Sequence, residues 1–363
     1  MLAVLAAISA MSSATAGATV AFGEDKSVSV GFGMRSSYAS VEDGAPNGTS
    51  RSSDFHLDSA RLFFGASLNK NIKGMLNTEW DGEQIRIMDA AGQFAISPEL
   101  NVWAGRLLSP SDRANMAGPY YSLGGGYWAG VSSRYGYNGG IFRGRDDGVV
   151  AWGNVADGKL GYSFGAFEGH TFGIGSLTQS QAGALVNKPS DSLMYAGRVQ
   201  YDFWDAEPGY YGTGNYLGSK DILAIGIAAR TQKNGVLTVA KNGDYMAWNV
   251  DFLLEKKVPT GAFSLEAAYY HYDTDGVIKA EQGKAFSTGA AFIFGEAMGM
   301  GKLQPFVRYQ KFSPDTNIDS KQTDVGVNYI IEGYNAQVSA TYTKNTFGSA
   351  DTSKFVVGLQ LQY

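Results

Sequence analysis

Apolar and polar residues alternate along most of this chain from Ser27 onward. Alternation with a period of two places successive side chains on opposite faces of an extended strand. Between Phe355 and Tyr363, apolar side chains fall on one face, while glycine and glutamine fall on the other. This pattern predicts a chain built from β-strands.

Sixteen segments have this strand-like character. Most are about ten to fourteen residues long, whereas strands in soluble domains average about five or six, and a tilted membrane strand needs about nine to eleven. The lengths favour an all-β fold, a transmembrane antiparallel β-barrel of sixteen strands, with eighteen strands as the alternative. The predicted strands are 27–38, 54–69, 72–80, 84–96, 99–107, 147–155, 159–168, 192–203, 220–231, 244–257, 261–273, 284–296, 302–313, 321–331, 335–345 and 352–363.

The connections between these segments are a second indication of a barrel. Outer-membrane barrels carry long external loops and tight periplasmic turns, which alternate along the chain. The connection from Trp204 to Ser219 breaks this rhythm, because sixteen residues stand where a tight turn is expected. It is either an unrecognised hairpin or an elaborated periplasmic feature. The predicted long loops are 39–53, 108–146, 169–191 and 232–243.

Composition narrows the chemistry that this fold can carry. The chain has 363 residues, no cysteine, three histidines and a formal net charge of -5. Without cysteine there are no disulfides and no thiolate metal sites. The mild acidity provides no basic surface for nucleic acid. Mean hydropathy is -0.16, and no apolar run after the start is long enough for a membrane helix. We therefore expect no cofactor, no metal and no nucleic-acid partner.

The first residues form a separate unit. Leu2 to Met11 is apolar, and Ala14-Thr15-Ala16 has the small-x-small pattern of a signal-peptidase site. No lysine or arginine precedes the apolar run, which departs from the usual signal-peptide pattern. The sequence predicts a signal peptide at 1–16 and an exported barrel at 17–363.

Three stretches resemble bacterial outer-membrane porins, and the chain is similar to the phosphate-selective porin O/P-like family. They are the arginine-bearing stretch Asp58–Phe64, the stretch Gly105–Ser111 that leads into a loop, and the last strand. The family-specific motifs are short, so phosphate specificity does not transfer. The resemblance implies a weakly selective, water-filled channel for passive diffusion of small ions and hydrophilic solutes in the outer membrane of a Gram-negative bacterium. It also implies a homotrimer in contact with lipid, lipopolysaccharide and the barrel-assembly machinery. The expected assembly signal is Phe355, Val357, Leu359, Leu361 and Tyr363.

The longest connection, 108–146, is the candidate for a loop that folds inward and narrows the pore. It is rich in charged and aromatic residues, among them Tyr120 and Tyr121, and Gly124-Gly125-Gly126 gives its backbone freedom to turn. The alternative is a solvated external loop. The predicted constriction residues are Arg61, Arg106, Asp112, Arg113, Arg134, Arg143, Arg145, Asp146 and Asp147.

Charges in the middle of membrane strands should face the lumen, because a charge facing lipid costs at least about 2.5–3.5 kcal/mol at the bilayer centre. Both signs occur among these positions, and this mixture predicts weak ion selectivity. The predicted lumen-wall residues are Glu79, Arg86, Arg198, Asp251, Glu266, Arg308 and Asp324.

The two alternatives to a pore are an enzyme and a barrel without an open channel. Catalysis is not expected, since His56, His170 and His271 are placed near the outer ends of strands, and neither G-x-S-x-G nor H-E-x-x-H occurs. A structural, sheath or surface-interaction barrel without an open channel is the alternative to a pore, and a conductance measurement separates the two.

Overall fold

The computed structural model describes residues 17–80, 82–124, 129–135, 144–169, 191–238 and 240–363. The predicted signal peptide, 1–16, and Arg143 lie outside the described residues, so neither prediction is tested. Among the described residues, no helix is long and apolar enough to cross a membrane.

Strands account for most of the described chain. A short N-terminal strand, β1 (Ala18–Gly23), precedes sixteen longer ones, and one short helix, α1 (Arg113–Ala117), lies between β6 and β7. The longer strands are β2 (Lys26–Val41), β3 (Asp54–Ser67), β4 (Ile72–Trp80), β5 (Ile85–Ser97), β6 (Leu100–Leu108), β7 (Arg145–Val155), β8 (Leu160–Phe167), β9 (Met194–Asp202), β10 (Ile222–Leu237), β11 (Asn242–Val258), β12 (Gly261–Asp273), β13 (Gly283–Phe294), β14 (Lys302–Pro314), β15 (Ser320–Glu332), β16 (Ala336–Phe347) and β17 (Ala350–Gln362).

The strands β2 to β17 form a closed antiparallel barrel. Each strand pairs with the next along the chain, and β17 pairs with β2 from Lys354 opposite Val41 to Gln362 opposite Gly33. Closure satisfies the backbone hydrogen bonds that an open edge would leave unpaired in lipid. The predicted sixteen-strand antiparallel barrel is confirmed, and each of the sixteen predicted segments overlaps one of these strands.

The strand β1 was not predicted. It forms a hairpin with the first residues of β2, with Ala18 opposite Val30 and Gly23 opposite Lys26. This part of β2 lies beyond the stretch that pairs with β17, so β1 continues the sheet where β17 ends. The prediction omits this segment because it takes the alternation of apolar and polar residues to begin at Ser27.

The barrel is apolar outside and polar inside. Val307 and Val325 are 47% and 55% exposed, whereas their neighbours Arg308 and Asp324 are 4% and 1% exposed. The same alternation places Phe355 and its apolar partners in β17 on the outward face. An exposed apolar band is the surface that a barrel turns toward lipid.

Among the residues that the structure describes, two connections leave the wall and fold into the lumen. Residues 109–124 and 129–135 of the connection 109–144 enter from the end that we take as external, where barrels carry their long loops. All five residues of α1 are buried, and the Asp112 side chain caps α1 by accepting a hydrogen bond from the Asn115 amide at 3.3 Å. The second connection, 203–221, enters from the periplasmic end and brings Tyr210 and Asn215 into the interior.

The observed connections settle the number of strands and correct the expected length of one loop. The connection 203–221 contains no extra hairpin, so the eighteen-strand alternative is wrong. The expected long loop 232–243 is also wrong, because β10 and β11 continue pairing to Leu237 opposite Asn242. The connection shortens to the four residues 238–241, because the paired strands gain ladder hydrogen bonds where Val236 is opposite Gly243 and Leu237 is opposite Asn242.

Candidate functional site

The two inward connections meet the barrel wall at one buried cluster of charges. This cluster consists of Arg113 from α1, Glu207 from 203–221, Arg198 and Gln200 from β9, and Asp251 from β11, and we call it the lumen junction. Each of the two arginines faces a carboxylate within it. The lumen junction therefore joins an external loop to a periplasmic connection through the side chains of the wall.

Arg113 and Glu207 form the contact between the two connections. Arg113 donates from Nη1 to Glu207 Oε1 at 2.8 Å and from Nη2 to Glu207 Oε2 at 2.7 Å. The Arg113 and Glu207 side chains are only 3% and 4% exposed. Arg113 also donates to the Thr213 carbonyl at 3.0 Å and to Gln200 Oε1 at 3.0 Å. This paired geometry fixes the guanidinium in one orientation.

Arg198 and Asp251 anchor the lumen junction to the wall. Arg198 donates to both oxygens of Asp251, at 2.6 and 2.7 Å, and its Nη1 donates to the Ser111 carbonyl at 3.1 Å. Asp251 accepts a further bond, at 3.1 Å, from the Arg113 backbone amide. The start of α1 is thus held against β9 and β11.

The pairing in the lumen junction keeps both partners charged. Burial disfavours the Arg113 cation, but the Glu207 carboxylate outweighs burial and raises the pKa of Arg113. Burial likewise opposes the Glu207 anion, yet the Arg113 guanidinium and the hydrogen bonds to Glu207 lower the pKa of Glu207 below its ordinary value. The contact is therefore an ion pair at neutral pH.

Aromatic side chains pack where 203–221 meets the wall. Trp103 of β6 and Trp152 of β7 lie 5.3 Å apart between ring centroids, and Tyr210 lies 4.9 Å from Trp103. The Tyr210 hydroxyl donates to the Leu108 carbonyl at 2.5 Å. Tyr211 packs beside these rings and lies 6.0 Å from Trp103. These rings fill one side of the lumen with protein.

A cavity of about 200 Å³ remains between α1 and the wall of β2 to β7. Its surface combines charged, amide and aromatic side chains. The polar lining includes Arg61, Lys73, Asn77, Asp89, Gln93, Asn101, Asn115 and Arg145, and the apolar lining includes Phe63, Met75, Trp103, Met116, Tyr120 and Tyr211.

Tyr120 bounds this cavity from the side of the inward loop. Its hydroxyl lies 2.9 Å from Ser59 Oγ, and Ser59 donates to Glu79 Oε1 at 2.6 Å. Glu79 also forms an ion pair with Arg61, whose guanidinium lies 4.8 Å from the centroid of the Tyr120 ring. A Cβ at Gly33 would lie only 3.0 Å from that ring, so a larger residue there would require the ring to move by a few tenths of an ångström.

The wall contributes a second ion pair to the cavity. Arg145, at the start of β7, donates from Nε to Asp89 Oδ1 at 3.2 Å, and the two side chains are 12% and 2% exposed. Asn77 donates to the other oxygen of Asp89 at 3.0 Å. The positive and negative side chains beside the cavity therefore occur as ion pairs.

Two of the predicted constriction residues lie on the outside of the barrel. Arg106 is opposite Asp147 in the pairing of β6 and β7, and the adjacent residues Leu107 and Asp146 face inward. Arg106 and Asp147 pair at 2.7 Å with side chains 43% and 47% exposed. The prediction that both residues face the lumen is therefore wrong. They can face outward because each neutralises the other's charge, and because they lie near the external end of β6, where the free-energy cost of a charge facing lipid is smaller.

The other predicted residues of the loop are distributed along its length. Asp112 accepts hydrogen bonds from Ser133 Oγ at 2.7 Å and from the Tyr270 hydroxyl at 3.1 Å, and burial raises the pKa of Asp112. Arg134 lies 3.4 Å from Glu281, toward the external end. Asp146 accepts from the amides of Asp147 and Gly169. These contacts brace the loop.

The predicted lumen-wall residues occupy the inner face of the barrel with differing exposure. Arg308 donates to Asp324 at 2.7 Å, and Glu266 is buried beside them on β12. Arg86 is opposite Glu79 in the β4–β5 pairing and is exposed. Glu79, Arg198 and Asp251 belong to the contacts described above.

Sequence reasoning missed several buried charges, among them Glu207, Asp89 and Arg230. Glu207 lies in the connection that could not be assigned to a strand or a turn, and its anomalous length was the available signal. Asp89 follows a bulge in β5, which shifts the face on which the next residues lie. Arg230 of β10 donates to the Tyr135 carbonyl at 3.2 Å and to Ser109 Oγ at 2.9 Å, and mid-strand charge alone could have identified it.

Comparisons with known proteins place the fold. No family model and no curated protein matches the chain. An anion-selective porin from Comamonas acidovorans is similar over 93% of this chain and 100% of its own, at 12% identity and a TM-score of 0.62. OprB from Pseudomonas putida is similar over 93% of this chain and 94% of its own, at 10% identity and a TM-score of 0.62. The outer membrane channel DcaP of Acinetobacter baumannii is similar over 95% and 100%, at 11% identity and a TM-score of 0.58.

At these identities, the likeness shows the fold alone. A closed antiparallel barrel with an outward apolar band and this likeness is a bacterial outer-membrane β-barrel. The predicted location in the outer membrane is confirmed. The predicted similarity to the phosphate-selective porin family is not confirmed, because none of these three structures is described as a phosphate-selective porin.

Proposed function

We propose that this protein is a narrow porin through which small ions and hydrophilic solutes diffuse passively across the outer membrane. The cavity between α1 and the wall of β2 to β7 carries the proposal, because it leaves open space beside charged and amide side chains inside a closed barrel. Pores select by width and by the charges at their narrowest point. We place that point where Tyr120 approaches Ser59 and the Arg61–Glu79 pair.

Weak ion selectivity follows from the way in which the charges are arranged. Arg61, Asp89 and Arg145 line the cavity, and each belongs to an opposite-sign pair, Arg61–Glu79 or Arg145–Asp89. The potential of a close pair falls with distance faster than that of a single charge, so neither cations nor anions are strongly preferred. The other predicted charges of the loop act as supports for α1 in this proposal.

The test is single-channel conductance of the folded protein in planar bilayers, with a matched pair of variants. Gln93 lines the cavity opposite Trp103, and its neighbour Phe94 points outward and is 45% exposed. We expect small ohmic steps from the wild type. Gln93→Trp should lower the step size, because an indole then occupies the passage.

Phe94→Trp is the control, since it places the same side chain on the lipid face of the same strand. It should leave the step size unchanged. Equal conductance of the two variants and the wild type would place the current outside this cavity. A folded barrel that gives no steps would refute the pore.

The second candidate is a surface or structural barrel without an open channel. It is favoured by the lumen junction, where two connections fill the centre of the barrel with paired charges. The same recordings distinguish the two, because a closed barrel is silent in the wild type and stays silent in Phe94→Trp.

We also propose that the protein is not an enzyme. Of its histidines, His271 lies on the outward face, with its ring 5.7 Å from that of Trp248, and it is remote from the lumen junction. The folded protein should not turn over peptide or ester substrates, and sustained hydrolysis would contradict this.

The remaining proposals concern export and assembly. They are removal of residues 1–16, recognition of the last strand by the barrel-assembly machinery, and a homotrimer in contact with lipopolysaccharide. N-terminal sequencing of the protein from outer membranes, assembly of a Phe355→Gln variant and the mass of the detergent-solubilised protein test them in turn.

A further inference from the structure

Four lysines form a row on the outside of four adjacent strands. They are Lys284 of β13, Lys311 of β14, Lys321 of β15 and Lys344 of β16, and we call them the lysine ladder. Lys311 lies between the buried residues Gln310 and Phe312, so its side chain points outward. All four are near the external ends of their strands.

The register brings the lysine ladder together. Lys311 is directly opposite Lys321, while Lys284 and Lys344 are each one diagonal step away, since Phe286 is opposite Lys311 and Thr323 is opposite Lys344. Like charges directly opposite each other destabilise a sheet. This arrangement is therefore expected to be relieved by negative charge.

The protein supplies only part of that charge. Lys311 pairs with Asp319 at 2.7 Å, and Lys344 pairs with Asp351 at 2.8 Å. Lys284 and Lys321 form no ion pair with any residue in the described part of the chain. Two of the four ammonium groups thus have no salt bridge of their own among the described residues, although Asp319 and Asp351 also attract Lys321.

The position of the lysine ladder along the membrane normal indicates what could supply the remaining negative charge. On the membrane side it borders Phe286, Val325 and Tyr342, which are 42%, 55% and 50% exposed. Aromatic residues mark the interface between the apolar band and the headgroups in such barrels. The ammonium groups therefore lie at the level of the lipid headgroups in the external leaflet.

We propose that the lysine ladder binds the phosphorylated headgroup of a lipid in the outer leaflet, such as the diphosphorylated glucosamine disaccharide of lipopolysaccharide. Ammonium groups form charge-assisted hydrogen bonds with phosphate oxygens. The acyl chains of such a lipid would lie along the exposed apolar side chains of β13 to β16. A lipid, rather than free phosphate, fits because the apolar surface continues directly from the charges.

The experiment titrates the full-length protein in neutral detergent with diphosphorylated lipid A and measures lipid-bound fractions by native mass spectrometry. A lysine near an anionic lipid surface contributes enough for about a fivefold change in affinity. Lys321→Gln should weaken binding about fivefold, and Lys311→Gln/Lys321→Gln about 20-fold. Dephosphorylated lipid A should bind no better to the wild type than to the double variant.

Lys233→Gln/Lys241→Gln is the matched control, because both lysines are exposed at the same end of the barrel on the β10–β11 hairpin. It should bind as the wild type does. An equal loss in both double variants would reduce the effect to net charge and overturn the proposal. Competition by inorganic phosphate at the concentration of the lipid would assign the site to free phosphate and overturn it too. Wild-type affinity in folded Lys321→Gln and Lys311→Gln/Lys321→Gln would also refute it.

Discussion

Replacing Arg113 by glutamine tests whether the lumen junction holds the two inward connections in place. The variant loses both bonds to Glu207, at 2.8 and 2.7 Å, and the bonds to the Thr213 carbonyl and Gln200. Glu207 keeps the Tyr216 hydroxyl at 2.7 Å and Gln200 at 3.1 Å but has lost its paired cation. Removing one partner of a buried ion pair costs about 3–5 kcal/mol, because the other charge stays buried.

This cost should appear locally. The barrel wall is held by the strand ladders, which Arg113→Gln leaves intact, whereas 203–221 is held by contacts inside the lumen. A destabilisation of about 3 kcal/mol raises the population of the released segment roughly 100-fold. Within the connection, the Gly214 amide donates to the Tyr121 carbonyl at 2.8 Å, and the Tyr216 amide donates to Glu255 at 2.7 Å.

Hydrogen exchange measured by mass spectrometry reports this equilibrium directly. Peptides covering 203–221 should exchange roughly 100-fold faster in Arg113→Gln than in the wild type, while strand peptides stay protected. Single-channel records should show added noise as the segment moves. Resistance of the folded barrel to detergent at room temperature confirms that the variant has assembled.

Arg106→Gln is the matched control, because the geometry of its ion pair is the same and its burial is not. Arg106 donates to both oxygens of Asp147 at 2.7 and 2.8 Å, but the side chains are 43% and 47% exposed. Solvent screens such a pair, and its removal costs about 0–1 kcal/mol. Unchanged exchange of 203–221 in Arg113→Gln, or an equal effect of Arg106→Gln, would refute the argument from burial.

Two further predictions concern charge and pH. Arg61→Gln leaves Glu79 without its cation. Because a unit charge at about 4 Å contributes roughly 1 kcal/mol even in water, the cation-to-anion permeability ratio should rise about fivefold. The reversal potential in a salt gradient measures this ratio, and an unchanged reversal potential would place the Arg61–Glu79 pair away from the conduction path. The pKa of Glu207 is lowered in the packed state, so its contribution to packing is complete above the ordinary pKa of a glutamate and is lost only as the pH falls through the lowered value. The protection factor of 203–221, which corrects for the pH dependence of intrinsic amide exchange, should therefore not fall between pH 7 and pH 5 and should fall only in stronger acid. A fall between pH 7 and pH 5 would contradict the ion pair.

The strands could be predicted because each one faces two solvents. Lipid outside and polar groups inside impose an alternation that a single sequence displays, as in Val307, Arg308 and Tyr309 of β14. Where the alternation is weak, the assignment fails. The outward face of β6 consists of Val102, Ala104 and Arg106, and only the pairing with Asp147 explains the charge at its end.

The contents of the lumen could not be predicted for a different reason. The connection 203–221 has no period, and its partners are distant in the sequence, with Arg113 at a separation of 94 residues from Glu207. The sequence shows that this connection is longer than a tight turn. The direction in which it folds, however, depends on the space inside the barrel. Tyr210 and Tyr216 suit that cavity, because a tyrosine buries an apolar ring while its hydroxyl reaches a partner.

This filling changes what the lumen charges do. The sequence predicts Arg113 as a constriction residue and Arg198 and Asp251 as lumen-wall residues, yet in the structure they are buried and paired with each other or with Glu207. A charge that is neutralised within 3 Å contributes little field at the distance of the cavity. Ion preference should then depend on the charged side chains that line the cavity, Arg61, Lys73, Asp89 and Arg145. The lumen junction should control whether the passage keeps its shape.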